Sequence, residues 1–254
     1  MQTVIRLLGA LAIVPFSVLM ANTASAEMAL DFDGVDDHTT STVTLGQDDN
    51  FTLEAYAQWR TYDDYYQTLM GFGTAVEIKG VEDEITYISE NATTSSAPAK
   101  LVDGQWYHFA LVRDSGAWKF YLDGVFHDLA QNQAPTPGAA DYFRIGGRGA
   151  NFENWNGTID EVRVWTVART QAQIQQYMLS CLSGEESGLY LYYQMEDGKG
   201  SSTVSDLTGN GNHSTLNGMD PASDWLNYAG VNCPANESCY TIKPGTGGAV
   251  AFCL

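Results

Sequence analysis

Alternation with a period of two constrains this chain more than any other feature. From Phe51 to Trp59 the odd positions Phe51, Leu53, Ala55, Ala57 and Trp59 are apolar, while Thr52, Glu54 and Gln58 between them are polar. Such a row buries one face of a strand and leaves the other polar. Trp106 to Val112 is apolar on both faces, as a central strand requires. Trp118, Phe120 and Leu122 alternate again. Asp123-Gly124 then separates two short β-like runs, which predicts a tight hairpin turn. Ile159 to Trp165 predicts another strand, and Leu189, Leu191, Tyr193 and Met195 share one face of a later one. Many short strands punctuated by Gly, Asp and Asn predict an all-β sandwich. One helix interrupts the pattern. Thr170-x-x-Gln173 is a capping box, and Ile174, Tyr177, Met178 and Cys181 follow at helical spacing, so that stripe is expected to lie against the sandwich. Ala92 to Lys100 and Gln131 to Ala140, rich in small, polar and proline residues, read as loops.

The two ends differ from the middle. Arg6, the apolar run Leu7 to Met20 and Ala24-Ser25-Ala26 form a secretory signal, so residues 1–26 are expected to be removed and the mature chain to begin near Glu27. The apolar run is too short for a spanning helix, and no membrane insertion is expected. A secreted, extracellular or cell-surface protein follows. The chain carries 31 acidic and 12 basic side chains, a net charge of −19. That surface repels nucleic-acid phosphates and anionic lipid headgroups and attracts divalent cations, although solvation alone accounts for it. Four cysteines (Cys181, Cys233, Cys239 and Cys253) after a signal imply disulfides, with three pairings open. Cys239 with Cys253 and Cys181 with Cys233 is the preferred set. Zinc is the weaker alternative, because no Cys-x-x-Cys pair exists. Tyr240 to Lys243 and Ala249 to Phe252 flank Pro-Gly-Thr-Gly-Gly, predicting a small hairpin closed by its cysteines. The organisation expected is a signal over 1–26, one sandwich domain over 27–230 and a cysteine-containing tail over 231–254.

Four stretches, in order, resemble the laminin G-like, concanavalin A-like jelly-roll family. They are Ala29-Leu30-Asp31-Phe32-Asp33-Gly34-Val35-Asp36-Asp37, Phe51-Thr52-Leu53-Glu54-Ala55, Trp106 to Asp114 followed by Trp118 to Gly124, and Gly157 to Trp165 followed by Ala168-Arg169-Thr170. The resemblance covers about 28–181 and implies a two-sheet antiparallel jelly roll. Gly188 to Tyr193 through Asp206 to Asn212 is similar to a segment that precedes the first strand in tandem relatives. Here it comes last. It is expected to fold back beside the first strand, since an extended strand needs a neighbour for its backbone groups. The alternative is addition to a second copy of the chain, building a homo-oligomer or filament.

The resemblance also implies a structural calcium tying the opening strand to the penultimate one. Asp33, the Gly34 carbonyl, Asp36, Asp37 and Asp160 supply the hard oxygen atoms such an ion takes. Asp160 shares strand parity with Val162 and Val164 and is expected to point inward. The competing reading is a set of turn carboxylates bonded to backbone amides. Two clusters join aromatics to acids or amides: Tyr62, Asp63, Asp64, Tyr65 and Tyr66, and Asn151, Phe152, Glu153, Asn154 and Trp155. Rings stack on sugar faces while acids and amides bind hydroxyls, so these are candidate ligand contacts; packing under their own loops is the alternative. Catalysis is not expected. Glu82-Asp83-Glu84 is the nearest acidic run to a glycosidase pair, and it lacks supporting residues at strand spacing. His38, His108, His127 and His213 form no triad or metal spacing, and His108 is expected to pack in the core with a hydrogen bond. The reading is a non-catalytic module binding a glycan or extracellular protein; the alternative is a structural subunit of an extracellular assembly.

Overall fold

The structure, a computed structural model, describes residues 27–44, 50–60, 66–73, 76–81, 84–89, 94–129, 142–149, 153–228, 239–242 and 250–253. The strands of the first half are β1 (Glu27–Asp33), β2 (His38–Ser41), β3 (Phe51–Trp59), β4 (Tyr66–Phe72), β5 (Val76–Val81), β6 (Glu84–Ser89), β7 (Thr94–Lys100), β8 (Trp106–Asp114), β9 (Ala117–Leu122) and β10 (Val125–His127). After them come β11 (Phe143–Ile145), β12 (Asn156–Trp165), the helix α1 (Gln171–Tyr177), β13 (Leu189–Tyr193), β14 (Thr203–Val204), β15 (Ser214–Asn217) and β16 (Trp225–Tyr228). A separate hairpin closes the series with β17 (Cys239–Ile242) and β18 (Val250–Cys253).

Two antiparallel sheets form the jelly roll. One runs β10-β9-β8-β3-β12-β1-β16, with β13 also on β12; the other runs β14-β15-β2-β11-β4-β5-β6-β7. Their inward rows meet in one core. Leu53, Trp59, Phe109, Leu111, Phe120, Ile159 and Val164 come from the first sheet, and Met70, Phe72, Ile78, Phe143 and Ile145 from the second. Burial of these rows is the main favourable term. Leu122 pairs with Val125 across Asp123 and Gly124, whose φ values of 49° and 69° are those a right-twisted two-residue hairpin turn needs.

Four expectations are refined. Ala92 to Lys100 is not all loop, because Thr94–Lys100 forms the edge strand β7. Its register on β6 jumps from Ala97 to Lys100, leaving Pro98, which has no N–H to donate, outside the ladder. The helix is shorter than the stripe suggested. It ends at Tyr177 with Met178 as its cap, so Cys181 lies beyond it. The capping box is formed as predicted at the other end.

Third, the segment from Gly188 to Asn212 does not lie beside the first strand, because the later strand β16 takes that place. β13 pairs with β12, β15 pairs with β2, and it is β16 that lies beside β1, with Glu27 opposite Tyr228. The first strand therefore finds its neighbour within its own chain. Fourth, Asp160 does not face the core. Asp160 opposes Tyr56 and Arg163 opposes Glu54, so three steps on β12 span two on β3. Glu161, with a φ of 52°, is the extra residue of this bulge. Ile159 and Val162 both line the core, and the two acids between them turn to the outer face.

That outer face carries a buried ionic layer beneath α1 and the segment after it. Glu54, Glu161, Arg163, Arg169 and His108 are each at most 5% exposed. Arg163 donates to Glu161, to the Tyr177 carbonyl at 2.8 Å and to the Ser180 carbonyl at 2.7 Å, closing the C-terminal end of the helix. Arg169 reaches Glu54 at 3.2 Å and lies 3.8 Å from the Trp165 ring centre. Burial opposes ionisation of Glu54, but His108, Arg169 and Arg163 outweigh it and hold the carboxyl below its ordinary value. His108 Nε2 lies 3.3 Å from Glu54.

Cys239 stands directly opposite Cys253 in the β17–β18 ladder, and Cys181 is disulfide-bonded. Cys233, the partner expected for Cys181, lies outside the described residues. Among the described residues no helix is long and apolar enough to cross a membrane.

Candidate functional site

The site grows from the outer face of the second sheet. Along β5 the side chains of Val76 and Ile78 enter the core, so Glu77 and Lys79 face outward. On β4, opposite them, stand Gly71 and Thr68. Gly71 leaves room for Glu77, since a Cβ there would lie 2.7 Å from the Glu77 Cγ. The loop after β11 then folds over this surface and brings Arg148 and Glu153. Four charges close into a ring. Arg148 lies 3.0 Å from Glu77, Glu77 lies 3.2 Å from Lys79, Lys79 pairs with Glu153, and Glu153 lies 3.5 Å from Arg148. Burial pushes the Glu77 carboxyl up, against the pull of Lys79 and Arg148.

One aromatic group borders the ring, and a second lies against Arg144 nearby. Lys79 Nζ lies 5.5 Å from the centre of the Tyr66 ring, and the Arg144 guanidinium 4.3 Å from that of Tyr142. The described members Tyr66 and Glu153 of the two aromatic–acidic clusters thus meet on Lys79. The Thr68 amide donates to the Glu153 carbonyl at 2.8 Å, and the Asn156 amide to the Gln67 side chain at 2.9 Å. Tyr62, Asp63, Asp64, Tyr65, Asn151 and Phe152 lie outside the described residues, and Tyr66, Glu153, Asn154 and Trp155 within them.

The members of the second cluster divide by role. Trp155 is a core residue with no exposed surface. Its ring meets Trp59 and Phe109 edge to face at 5.3 and 6.2 Å, and its Nε1 donates to the Gln58 carbonyl at 3.3 Å. It cannot stack on a ligand as it stands. Asn154 is buried as well, and its amide donates to the Val35 carbonyl, which ties this loop to the opening turn. Only Tyr66 and Glu153 remain partly exposed.

The opening turn holds three of the expected metal ligands. One oxygen from each of Asp33, Asp36 and Asp37 lies within 4.8 Å of the others. Gly34, with a φ of 81°, makes the turn that gathers them. Asp33 accepts from the Val35 amide at 2.7 Å, and Asp37 from the Asp33 amide at 3.0 Å, which leaves further carboxylate oxygens to spare. Burial, with Asp33, Asp224 and Asp36 adding repulsion, raises the Asp37 carboxyl to about 7. A hard divalent cation relieves such crowding, so the donor set fits calcium. Asp160 is not part of this set. It lies one step past the Leu30–Ile159 pair, at the other end of β1, and accepts from the Tyr228 hydroxyl.

Lys79, Glu77, Arg144 and Arg148 were not singled out in the sequence. The alternation Val76-Glu77-Ile78-Lys79 was a signal for two outward charges. Nothing local showed that Arg148 and Glu153 would cover them. Of the acidic run, Glu82 and Asp83 lie outside the described residues, and Glu84 opens β6.

A model of the concanavalin A-like lectin/glucanases superfamily matches residues 32–175. Pappalysin-1 of Mus musculus is 30% identical over 91 residues, which is 34% of this chain and 6% of that protein. Among solved structures, a Bacteroides ovatus protein provisionally assigned as carbohydrate binding aligns with a TM-score of 0.63 at 24% identity, over 76% of this chain and 58% of its own. A heptameric SAP-like pentraxin of Limulus polyphemus aligns with a TM-score of 0.51 at 15% identity, over 78% and 98%. The chain thus spans less than two thirds of the length of pappalysin-1 and of the Bacteroides protein. At these identities the two structures speak for the fold.

Proposed function

Because this chain belongs to the concanavalin A-like lectin/glucanase superfamily, we propose that it is a secreted, non-catalytic module that binds carbohydrate or another extracellular matrix component and is steadied by calcium. The observation that carries this reading is the meeting of three segments beside the outer face of the second sheet. The strand β4, residues 146–149 and 153–155 after β11, and the turn from Asp33 to Asp37 adjoin there through the Thr68–Glu153, Gly146–Leu69 and Asn154–Val35 hydrogen bonds. Beside them lies the ring of fixed donors and acceptors, with Tyr66 against Lys79. Fixed polar groups beside rings are what a polyol needs: hydroxyls pair with Arg148 and Glu153, which keep exposed surface, and the C–H face of the sugar lies on the aromatic ring. The assignment given to the Bacteroides protein supports the same ligand class. The alternative of a filament subunit built by strand exchange gains no support from the edge of β1, which β16 occupies.

The test is a glycan array read with and without calcium. Binding to at least one glycan is expected. Tyr66→Ala should weaken it tenfold or more, about 1.4 kcal/mol, while leaving the melting temperature unchanged, since Tyr66 lies at a strand end and is half-exposed. A folded protein that gives a blank array in calcium would overturn the proposal. Calcium is tested separately by melting. A chelator should lower the Tm and added calcium restore it, and Asp36→Asn should abolish the response. An unchanged Tm on chelation removes calcium from the reading but leaves the ligand site standing.

A further inference from the structure

The first strand begins at a crowded junction. β1 pairs with β12 from Leu30, opposite Ile159, to Asp33, opposite Asn156. From Val162 to Trp165 β12 pairs with β13 instead. The two strands follow one another along one lane, and the start of β1 stands against the end of β13. The Met28 amide donates to Glu196, just past β13, at 2.9 Å across that junction. A chain preceding Glu27 has no free length of β12 to extend along.

The junction is also acidic. Glu27, Asp160 and Glu161 are each at most 4% exposed, and Glu196 is half-buried beside them. Arg163 answers Glu161. Asp160 accepts from the Tyr228 hydroxyl through Oδ2, while its buried Oδ1 has no hydrogen-bond partner among the described residues. Among the described residues, neither Asp160 nor Glu196 forms an ion pair with a lysine or arginine. Burial, followed by the like charges of Glu161 and Asp197, pushes the Glu196 carboxyl up to about 7, as it would for a carboxylate waiting for a cation. A buried carboxylate is costly without a partner.

We propose that cleavage between Ala26 and Glu27 creates an α-ammonium group at this junction, and that this group is the counter-ion for Glu196 and Asp160. The inference rests on the reading that the chain is exported and cut at its signal. A leader peptidase and water break the Ala26–Glu27 amide. The water oxygen goes to the new Ala26 carboxylate, and the Glu27 nitrogen, a neutral amide until then, takes up protons and becomes an ammonium. Processing thus supplies a positive charge for Glu196 and Asp160, and the fold reaches full stability only after the cut.

The experiment compares two forms of the disulfide-bonded protein, one with Glu27 as first residue and one retaining Ser25-Ala26 ahead of it. Each is also made with Glu196→Gln. N-terminal sequencing of the protein exported with its own leader should give Glu27 first; any other first residue overturns the cleavage reading and the inference with it. The form beginning at Glu27 should melt higher by roughly 3–6 °C at neutral pH, and Glu196→Gln should shrink that gap. Equal melting temperatures, or a gap that Glu196→Gln leaves intact as a steric effect would, overturn the counter-ion role while leaving the cleavage site standing.

Discussion

Replacing Arg163 by methionine is expected to lower the unfolding free energy by about 3–5 kcal/mol, the usual cost of removing one partner from a buried ion pair. Arg163 is fully buried, so solvent does not screen the loss. Its guanidinium answers Glu161 and lies 3.9 Å from Glu54, two carboxylates with at most 2% of their surface exposed. It also holds the carbonyls of Tyr177 and Ser180. Methionine fills much of the volume and removes all four interactions. Glu161, whose carboxyl burial already pushes up, would then shed its charge by taking a proton. For a domain of this size each kcal/mol corresponds to roughly 2–4 °C, so a fall of about 10 °C in Tm is expected. Denaturant unfolding of both proteins measures it. A loss below about 1 kcal/mol would mean that water reaches the layer and that the ion pair is not buried in solution.

Trp155→Ala is expected to cost about 3–5 kcal/mol through the cavity it leaves. The indole fills the space between Trp59 and Phe109, and its N–H occupies the Gln58 carbonyl. The sequence offered Trp155 as a ligand contact, and the two roles separate experimentally. A surface contact loses binding and keeps its melting temperature; a core tryptophan loses stability first. Trp155→Phe should recover much of the stability, because it restores ring volume while still lacking the N–H. If Trp155→Ala unfolds with an unchanged midpoint and has lost ligand binding, the packing account fails.

The ligand and metal tests concern the loops, whereas these two substitutions concern the frame that positions them. Trp155 and Asn154 sit next to the polar ring without facing it. One anchors the loop in the core, and the other ties it to the Val35 carbonyl of the opening turn. Loss of either anchor would therefore disturb the site without touching a ligand.

The sequence by itself determined the sandwich, most strands of the sheet built on β3 and β8 but none of the opposing sheet, the hairpin turn at Asp123-Gly124 and the start of the helix. These are local matters. Whether Leu53 faces inward or Thr170 caps a helix depends on neighbours two to four residues away. It also grouped Asp33, Asp36 and Asp37, because a turn of five residues can gather them unaided. The tertiary structure alone decided the rest. A single extra residue at Glu161 reversed the parity of β12 and sent Asp160 to the outer face, and no alternation reveals where a strand will bulge. Trp155 became core and Lys79 became part of a charged ring because segments 74–97 residues apart in the chain met there. Long-range pairing fixes such contacts, and side-chain chemistry, identical in a loop and in a core, carries no record of it.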